Sequence, residues 1–132
     1  MDVFNTHGAF SWCELMTTDP EAAREFYAQL FGWGSKAMDM PNGTYTTVQV
    51  GDASIAGLMK IPADAKGMPP SWGCYVTVND VDATCARVKQ LGGKIVMPVF
   101  EVPTVGRMAV IQDPQGAVLS IITYAPPASS AS

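Results

Sequence analysis

Hydrophobic and polar positions alternate along this chain in two rhythms, and the order of those rhythms repeats. From Phe10 to Thr17 the residues are apolar or β-compatible and read as a strand. Asp19-Pro20-Glu21 then opens a helix. Asp19 can accept the orphan N–H groups of the first turn, and Pro20 carries the φ of a first helical residue. Ala23, Phe26, Tyr27 and Leu30 follow at i, i+3, i+4 and i+7 and predict one apolar helix face. Gly32 ends the helix where a left-handed residue is wanted. Three short strands follow, near Trp33–Met38, Tyr45–Val50 and Ser54–Met59, with Asn42-Gly43 and Gly51-Asp52 as the turns.

The second half repeats that order. Trp72–Val78 reads as a strand, and Asp80 caps a helix whose Val81, Cys85, Val88 and Leu91 share a face. Gly92-Gly93 ends it. Strands are expected near Ile95–Val99, Arg107–Gln112 and Ala117–Tyr124, with Asp113-Pro114-Gln115-Gly116 as a turn without chemistry. The halves align when Asp19 is laid on Asp80, an offset of 80 − 19 = 61. Cys13 then falls on Cys74, Gln29 on Gln90, Gly32 on Gly93, Asp52 on Asp113, Ala56 on Ala117 and Leu58 on Leu119. The expectation is β-α-β-β-β twice in one α+β domain over 1–125, with modules at about 8–60 and 72–125. Residues 61–71 read as a linker between modules, and the Pro/Ser-rich 126–132 as a flexible tail.

Composition narrows the function classes. With 132 residues, 48% hydrophobic and 15% charged, the chain is long and apolar enough for a real core. A net charge of −4 and the lack of any Lys/Arg run argue against nucleic acid and anionic membranes as partners. The first residues lack the basic and apolar blocks of a signal peptide. Three cysteines without C-x-x-C spacing make a disulfide framework or thiolate zinc site a poor reading, so a reducing cytoplasm is expected.

The chain resembles the vicinal oxygen chelate superfamily, which includes glyoxalase I, bleomycin and fosfomycin resistance proteins and extradiol dioxygenases. The resemblance is carried by Trp12 to Pro20 (WCELMTTDP), Phe26-Tyr27 through Phe31-Gly32-Trp33, Val78 to Ala83, Leu91-Gly92-Gly93, and Gly106-Arg107 through Ala117. It implies two βαβββ modules forming a cupped mixed sheet with helices on its outer face and the ligand on the concave one. It also implies a homodimer. In metal-dependent members, His or Glu on the first and last strand of each module binds one divalent ion. Those positions fall here on Trp12, Met59, Gly73 and Ser120, none of which is a serviceable ligand. No metal and no cofactor are therefore expected.

The candidate site residues come from strand alternation. Glu14 lies two residues after Trp12 and shares its face. It reads either as a desolvated carboxylate fit for proton transfer or amine binding, or as one half of a buried ion pair with Arg107. Trp12, Tyr45, Met59, Trp72, Tyr75 and Phe100 are candidates for an aromatic, apolar wall, with Ser120 beside them. Arg107 is either an anion anchor of that pocket or a surface ion pair. Cys13, Leu15, Cys74 and Val76 are expected under the helices as core. His7, the only histidine, reads as an exposed terminal residue.

These readings favour a metal-independent small-molecule binder that holds an apolar or aromatic ligand, cationic as one option, with Glu14 as its polar contact. The alternatives are an isomerase, lyase or hydrolase using Glu14 as general base, a metal-dependent glyoxalase- or dioxygenase-like enzyme, and an interaction module with a collapsed cup.

Overall fold

The structure is a computed structural model that describes residues 1–40, 43–63, 65 and 67–125. Asn42 of the first predicted turn, part of the 61–71 linker and the tail 126–132 lie outside them. The elements are β1 (Phe10–Thr17), α1 (Pro20–Phe31), β2 (Gly34–Met40), β3 (Gly43–Val50), β4 (Ala53–Lys60), β5 (Ser71–Thr77), α2 (Val81–Gln90), β6 (Lys94–Val102), β7 (Gly106–Gln112) and β8 (Val118–Tyr124). This is the expected α+β order of tandem βαβββ modules. Only β6 departs by as much as three residues, running on through two register irregularities. Among the described residues no helix is long and apolar enough to cross a membrane.

The helix boundaries follow local chemistry. Asp19 accepts the Ala22 N–H at 3.1 Å and Asp80 accepts the Ala83 N–H at 3.1 Å, so both caps work as read. Gly32 closes α1 at φ 74°, ψ 19°, and its N–H donates to the Ala28 carbonyl. Asp113 organises the β7–β8 turn by accepting from the Gln115 and Ala117 N–H groups, each at 3.0 Å.

The chain forms two compact units: Trp12–Gly73, and Met1–Ser11 together with the chain from Cys74 onward. In the first unit the strand order is β2-β3-β4-β1, with β1 and β4 parallel and the other pairs antiparallel. Leu15, Val48, Ala56 and Leu58 are buried on one face, against Ala23 and Tyr27 of α1 and against Trp33. In the second unit the order is β5-β8-β7-β6, again with the first and last strands parallel. Its core is Val78, Val81, Cys85, Ala109 and Ile121, with Val76, Ile95, Val99 and Ile111 packed on it.

The first residues belong to this second unit. The Thr77 N–H donates to the Ala9 carbonyl and the Gly8 N–H to the Thr77 carbonyl, both at 2.8 Å. The buried Thr77 hydroxyl donates to the Val3 carbonyl at 2.7 Å. Phe4 sets its ring edge-on to Tyr124, centroids 5.1 Å apart.

Four expectations are corrected. Phe26 and Leu30 are 59% and 58% exposed, although they lie in the predicted apolar stripe. The stripe is wider than the line of contact, which takes only the i, i+4 pair Ala23 and Tyr27. Leu91 is exposed because α2 stops at Gln90 and Leu91 is its cap. Cys13 and Cys74 are exposed, while Leu15 and Val76 pack as expected. Both cysteines lie mid-strand, on β1 and β5, whereas α1 lies over β4 and α2 over β6, β7 and β8.

The last correction concerns the repeat. Glu14 pairs with Gly57 and Tyr75 with Ser120, so the offset between the closing strands is 120 − 57 = 63, not 61. The same offset already relates β3 to β7, since Thr46 pairs with Leu58 and Ala109 with Ile121, and β6 has two register irregularities where β2 has none. An even slip preserves which face each residue takes. Leu58 therefore corresponds to Ile121, a core residue of the other unit, and Met59 to Ile122.

Candidate functional site

Strand alternation places Trp12, Glu14 and Met16 of β1 on the face opposite the α1 core, with Gly57 and Met59 of β4 and Tyr45 and Thr47 of β3. Three of these side chains form a hydrogen-bonded chain. The Trp12 Nε1–H donates to the Tyr45 hydroxyl at 2.9 Å, and that hydroxyl donates to Glu14 Oε2 at 2.8 Å. Glu14 is only 8% exposed.

Gly57 makes this arrangement possible. It is the register partner of both Glu14 and Thr47, and a Cβ built on it would overlap the Tyr45 hydroxyl and ring. Tyr45 therefore lies across the bare backbone of β4 and reaches β1. The surroundings are thioether-rich: Met38 is the register partner of Tyr45, Met16 that of Met59, and Tyr45 and Met59 stand one step beyond the Thr46–Leu58 pair.

Of the sequence-predicted residues, this unit brings together Trp12, Glu14, Tyr45 and Met59. Trp72 is placed elsewhere. Its indole donates to the Tyr27 hydroxyl of α1 at 3.1 Å and meets the Tyr27 and Trp33 rings edge-on. Trp72 is one residue out of phase with Gly73 and Tyr75, so alternation turns it to the helix side.

In the second unit Tyr75 pairs with Ser120, and Ser120 with Val110. Phe100 pairs with Met108, which pairs in turn with Ile122. Tyr75, Ser120 and Phe100 thus share a face, opposite the α2 core. Arg107 does not join them, because it alternates with Met108 and faces α2 with Ala109 and Ile111. Its guanidinium grips Asp82 through Nε and Nη2 at 2.9 and 3.0 Å, and Glu101 through Nη1 at 3.2 Å. Of the two readings offered for Arg107, the geometry is that of the surface ion pair. Asp82 is held below the usual carboxylate range by the Arg107 hydrogen bond, and Arg107 is raised in turn by Asp82.

The metal ligand positions implied by the resemblance do not fit a metal. The Trp12 nitrogen carries a proton and donates it to Tyr45. The register correspondence pairs Gly57 with Ser120, or Met59 with Ile122, and neither pair adds a carboxylate or imidazole. Among the described residues no three His, Cys, Asp or Glu side chains come together. Cys85 is buried and its thiol is pushed up by that burial, which makes it a poor thiolate donor. His7 is exposed as expected, and its Nδ1 accepts the Asn79 N–H at 3.0 Å.

Strand alternation alone makes Tyr45 a wall residue and gives Gly57 no role. A glycine inside a strand is itself a sign that something approaches the backbone closely, and that sign was available. The partner that approaches lies on the neighbouring strand and could not be read from spacing.

The comparisons agree with this architecture. Residues 9–121 match the Glyoxalase/Bleomycin resistance protein/Dioxygenase superfamily. The chain is 39% identical over 117 residues to the putative glyoxylase CFP32 of Mycobacterium tuberculosis, covering 86% of this chain and 45% of that protein. It is 33% identical over 127 residues to the anthracycline biosynthesis protein DnrV of Streptomyces peucetius, covering 86% and 46%. The chain thus spans about half the length of the curated relatives it matches. Among solved structures, methylmalonyl-CoA epimerase from Mycobacterium tuberculosis superposes with a TM-score of 0.66 at 20% identity, covering 95% of this chain and 92% of that one. That likeness establishes the fold alone. From the paired βαβββ modules and the match over residues 9–121, the chain belongs to the glyoxalase/bleomycin resistance protein/dioxygenase superfamily.

Proposed function

We propose that this chain is a metal-independent small-molecule binding protein that holds an apolar or aromatic ligand on the face carrying Trp12, Glu14, Tyr45 and Met59. The observation that supports it best is the hydrogen-bonded run from Trp12 through Tyr45 to Glu14, set among aromatic and thioether side chains. Sites of this make-up bind by apolar contact and orient by a few placed polar groups. Tyr75, Phe100 and Ser120 are the corresponding candidates in the second unit. The relatedness to proteins named for anthracycline biosynthesis supports an aromatic ligand. The poor metal fit of the expected ligand positions supports metal independence. A cytoplasmic homodimer completes the reading, on the cysteine usage and on the family resemblance.

The test is titration of chelator-treated protein with naphthylmethanol and naphthylmethylamine, followed by tryptophan fluorescence and melting temperature. Saturable binding that raises the melting temperature is expected, and Trp12→Ala should weaken it about tenfold, the scale of one lost aromatic contact. If neither probe saturates nor stabilises the wild-type protein, the reading is wrong.

A further inference from the structure

We infer that the aromatic patch on the outer side of α1 is the surface through which two copies of this chain pair. The inference rests on the homodimer proposed above and assigns its interface.

The patch is the part of the α1 stripe that the sheet beneath it leaves over. Ala23 and Tyr27 pack on the first core, whereas Phe26, Leu30 and Phe31 stay 59%, 58% and 58% exposed. These side chains are not scattered singly. The Tyr27 ring lies 5.1 Å from that of Phe26, 6.2 Å from Phe31, and 5.5 Å from each of Trp33 and Trp72, between centroids. Trp72 is tied in by its bond to the Tyr27 hydroxyl and is itself 40% exposed. An isolated apolar side chain on a surface is ordinary, but a contiguous set marks a surface that meets another one. The rings also hold one another in place, so they have little freedom left to lose on association.

Charge decides what kind of surface it meets. Arg24 is the only basic residue of α1, and its guanidinium is bound to Glu21 and Glu25 at 3.0 and 3.4 Å. Two carboxylates against one guanidinium leave the helix negative, on a chain of net charge −4. A helix that lies on an anionic membrane needs basic residues beside its apolar face, and α1 has none to spare. A two-fold interface has a different requirement. Each residue near its axis meets its own copy, so the centre must be free of charge. Phe26, Leu30, Phe31 and Trp72 supply such a centre.

The area is sufficient. At about 200 Å² for each of these four side chains, their exposed fractions bring on the order of 900 Å² into a pair of copies. Flanking polar residues then need to add only about 300 Å² to reach the lower bound of specific interfaces, about 1,200 Å². The curated relatives also carry about as much chain again as the segment that matches, which covers 45% and 46% of their lengths. A second copy of this chain brings an equal amount of protein to the patch.

The test is sedimentation velocity of the 132-residue chain over a concentration series, for wild type, Leu30→Glu, Leu30→Lys and Leu91→Glu. Leu30 of α1 and Leu91 at the end of α2 are 58% and 61% exposed, so none of these changes opens a core. Wild type should dimerise, and either Leu30 variant should weaken the dimer at least about thirtyfold, the scale of one central anchor. Leu91→Glu should leave it unchanged. Mixing the Glu and Lys variants of Leu30 should restore a dimer, which a misfolded variant could not do. Dimers of Leu30→Glu as tight as wild type overturn the inference while leaving the homodimer standing. An equal loss from Leu91→Glu overturns the assignment to α1, and a mixture that stays monomeric shows that the patch does not face itself. If wild type is monomeric throughout, the homodimer fails and the inference with it. A blue shift of tryptophan emission with phosphatidylglycerol vesicles would then assign the patch to a membrane.

Discussion

Asp82 and Arg107 are both exposed, yet their two parallel hydrogen bonds and the added contact to Glu101 give the pair a defined geometry. The Asp82 pKa is depressed, first by the Arg107 hydrogen bond. A depressed folded-state carboxylate contributes stability above its unfolded pKa, near the ordinary aspartate value of 3.8, and loses it as pH falls through the lower folded value. Arg107→Met should therefore reduce stability at neutral pH, and the difference from wild type should vanish below the folded pKa of Asp82. Urea denaturation between neutral pH and the acid limit checks this, and a constant difference across the range would exclude the pair as its cause. The three thiols separate at the same scale. Cys85 is buried with a raised pKa, whereas Cys13 and Cys74 are exposed. Alkylation of native protein should modify Cys13 and Cys74 well ahead of Cys85, and peptide mapping of a time course would show the order. The sequence places Cys85 on the apolar face of α2 and Cys13 and Cys74 on strands, and it does not show that the strand pair stays uncovered, because that depends on which strands the helices lie over.

At the scale of elements, local chemistry dominates. Each helix starts at an aspartate that accepts a backbone N–H, and α1 ends at a left-handed glycine. Asp19→Ala should cost about 1 kcal/mol, the usual value of an N-cap. Chemical denaturation measures it, and a change near zero would mean that packing of Ala23 and Tyr27 alone holds the helix. These features were legible beforehand because a cap or a glycine stop acts over three or four residues of sequence. Strand positions were legible to within a few residues for the same reason, through alternation and turn residues. The 63-residue offset of the closing strands was not, because β6 carries two register irregularities that β2 lacks, and a gapless alignment cannot show the residues they add.

For the molecule as a whole, the fold is two units with separate cores, and the first eleven residues complete the second unit rather than lead into the first. Deleting residues 1–7 removes the Val3 acceptor of the buried Thr77 hydroxyl, the Phe4–Tyr124 contact and the His7 acceptor of the Asn79 N–H. The loss should be about 1–3 kcal/mol, the penalty for a buried donor left unmade. Urea denaturation of the shortened chain tests it, and unchanged stability would show that this segment is ornamental to the core. The sequence by itself determined the element order, the tandem modules, the family and the facing of Trp12, Glu14 and Met59. Those properties depend on periodicity and local caps, which neighbouring residues settle. Tertiary structure alone decided that Tyr45 joins Trp12 to Glu14 over Gly57, that Arg107 serves Asp82, and that Trp72 turns toward α1. Each of these joins residues 25 to 45 positions apart, or strands whose register is set by turns, and spacing along the chain carries no record of such contacts.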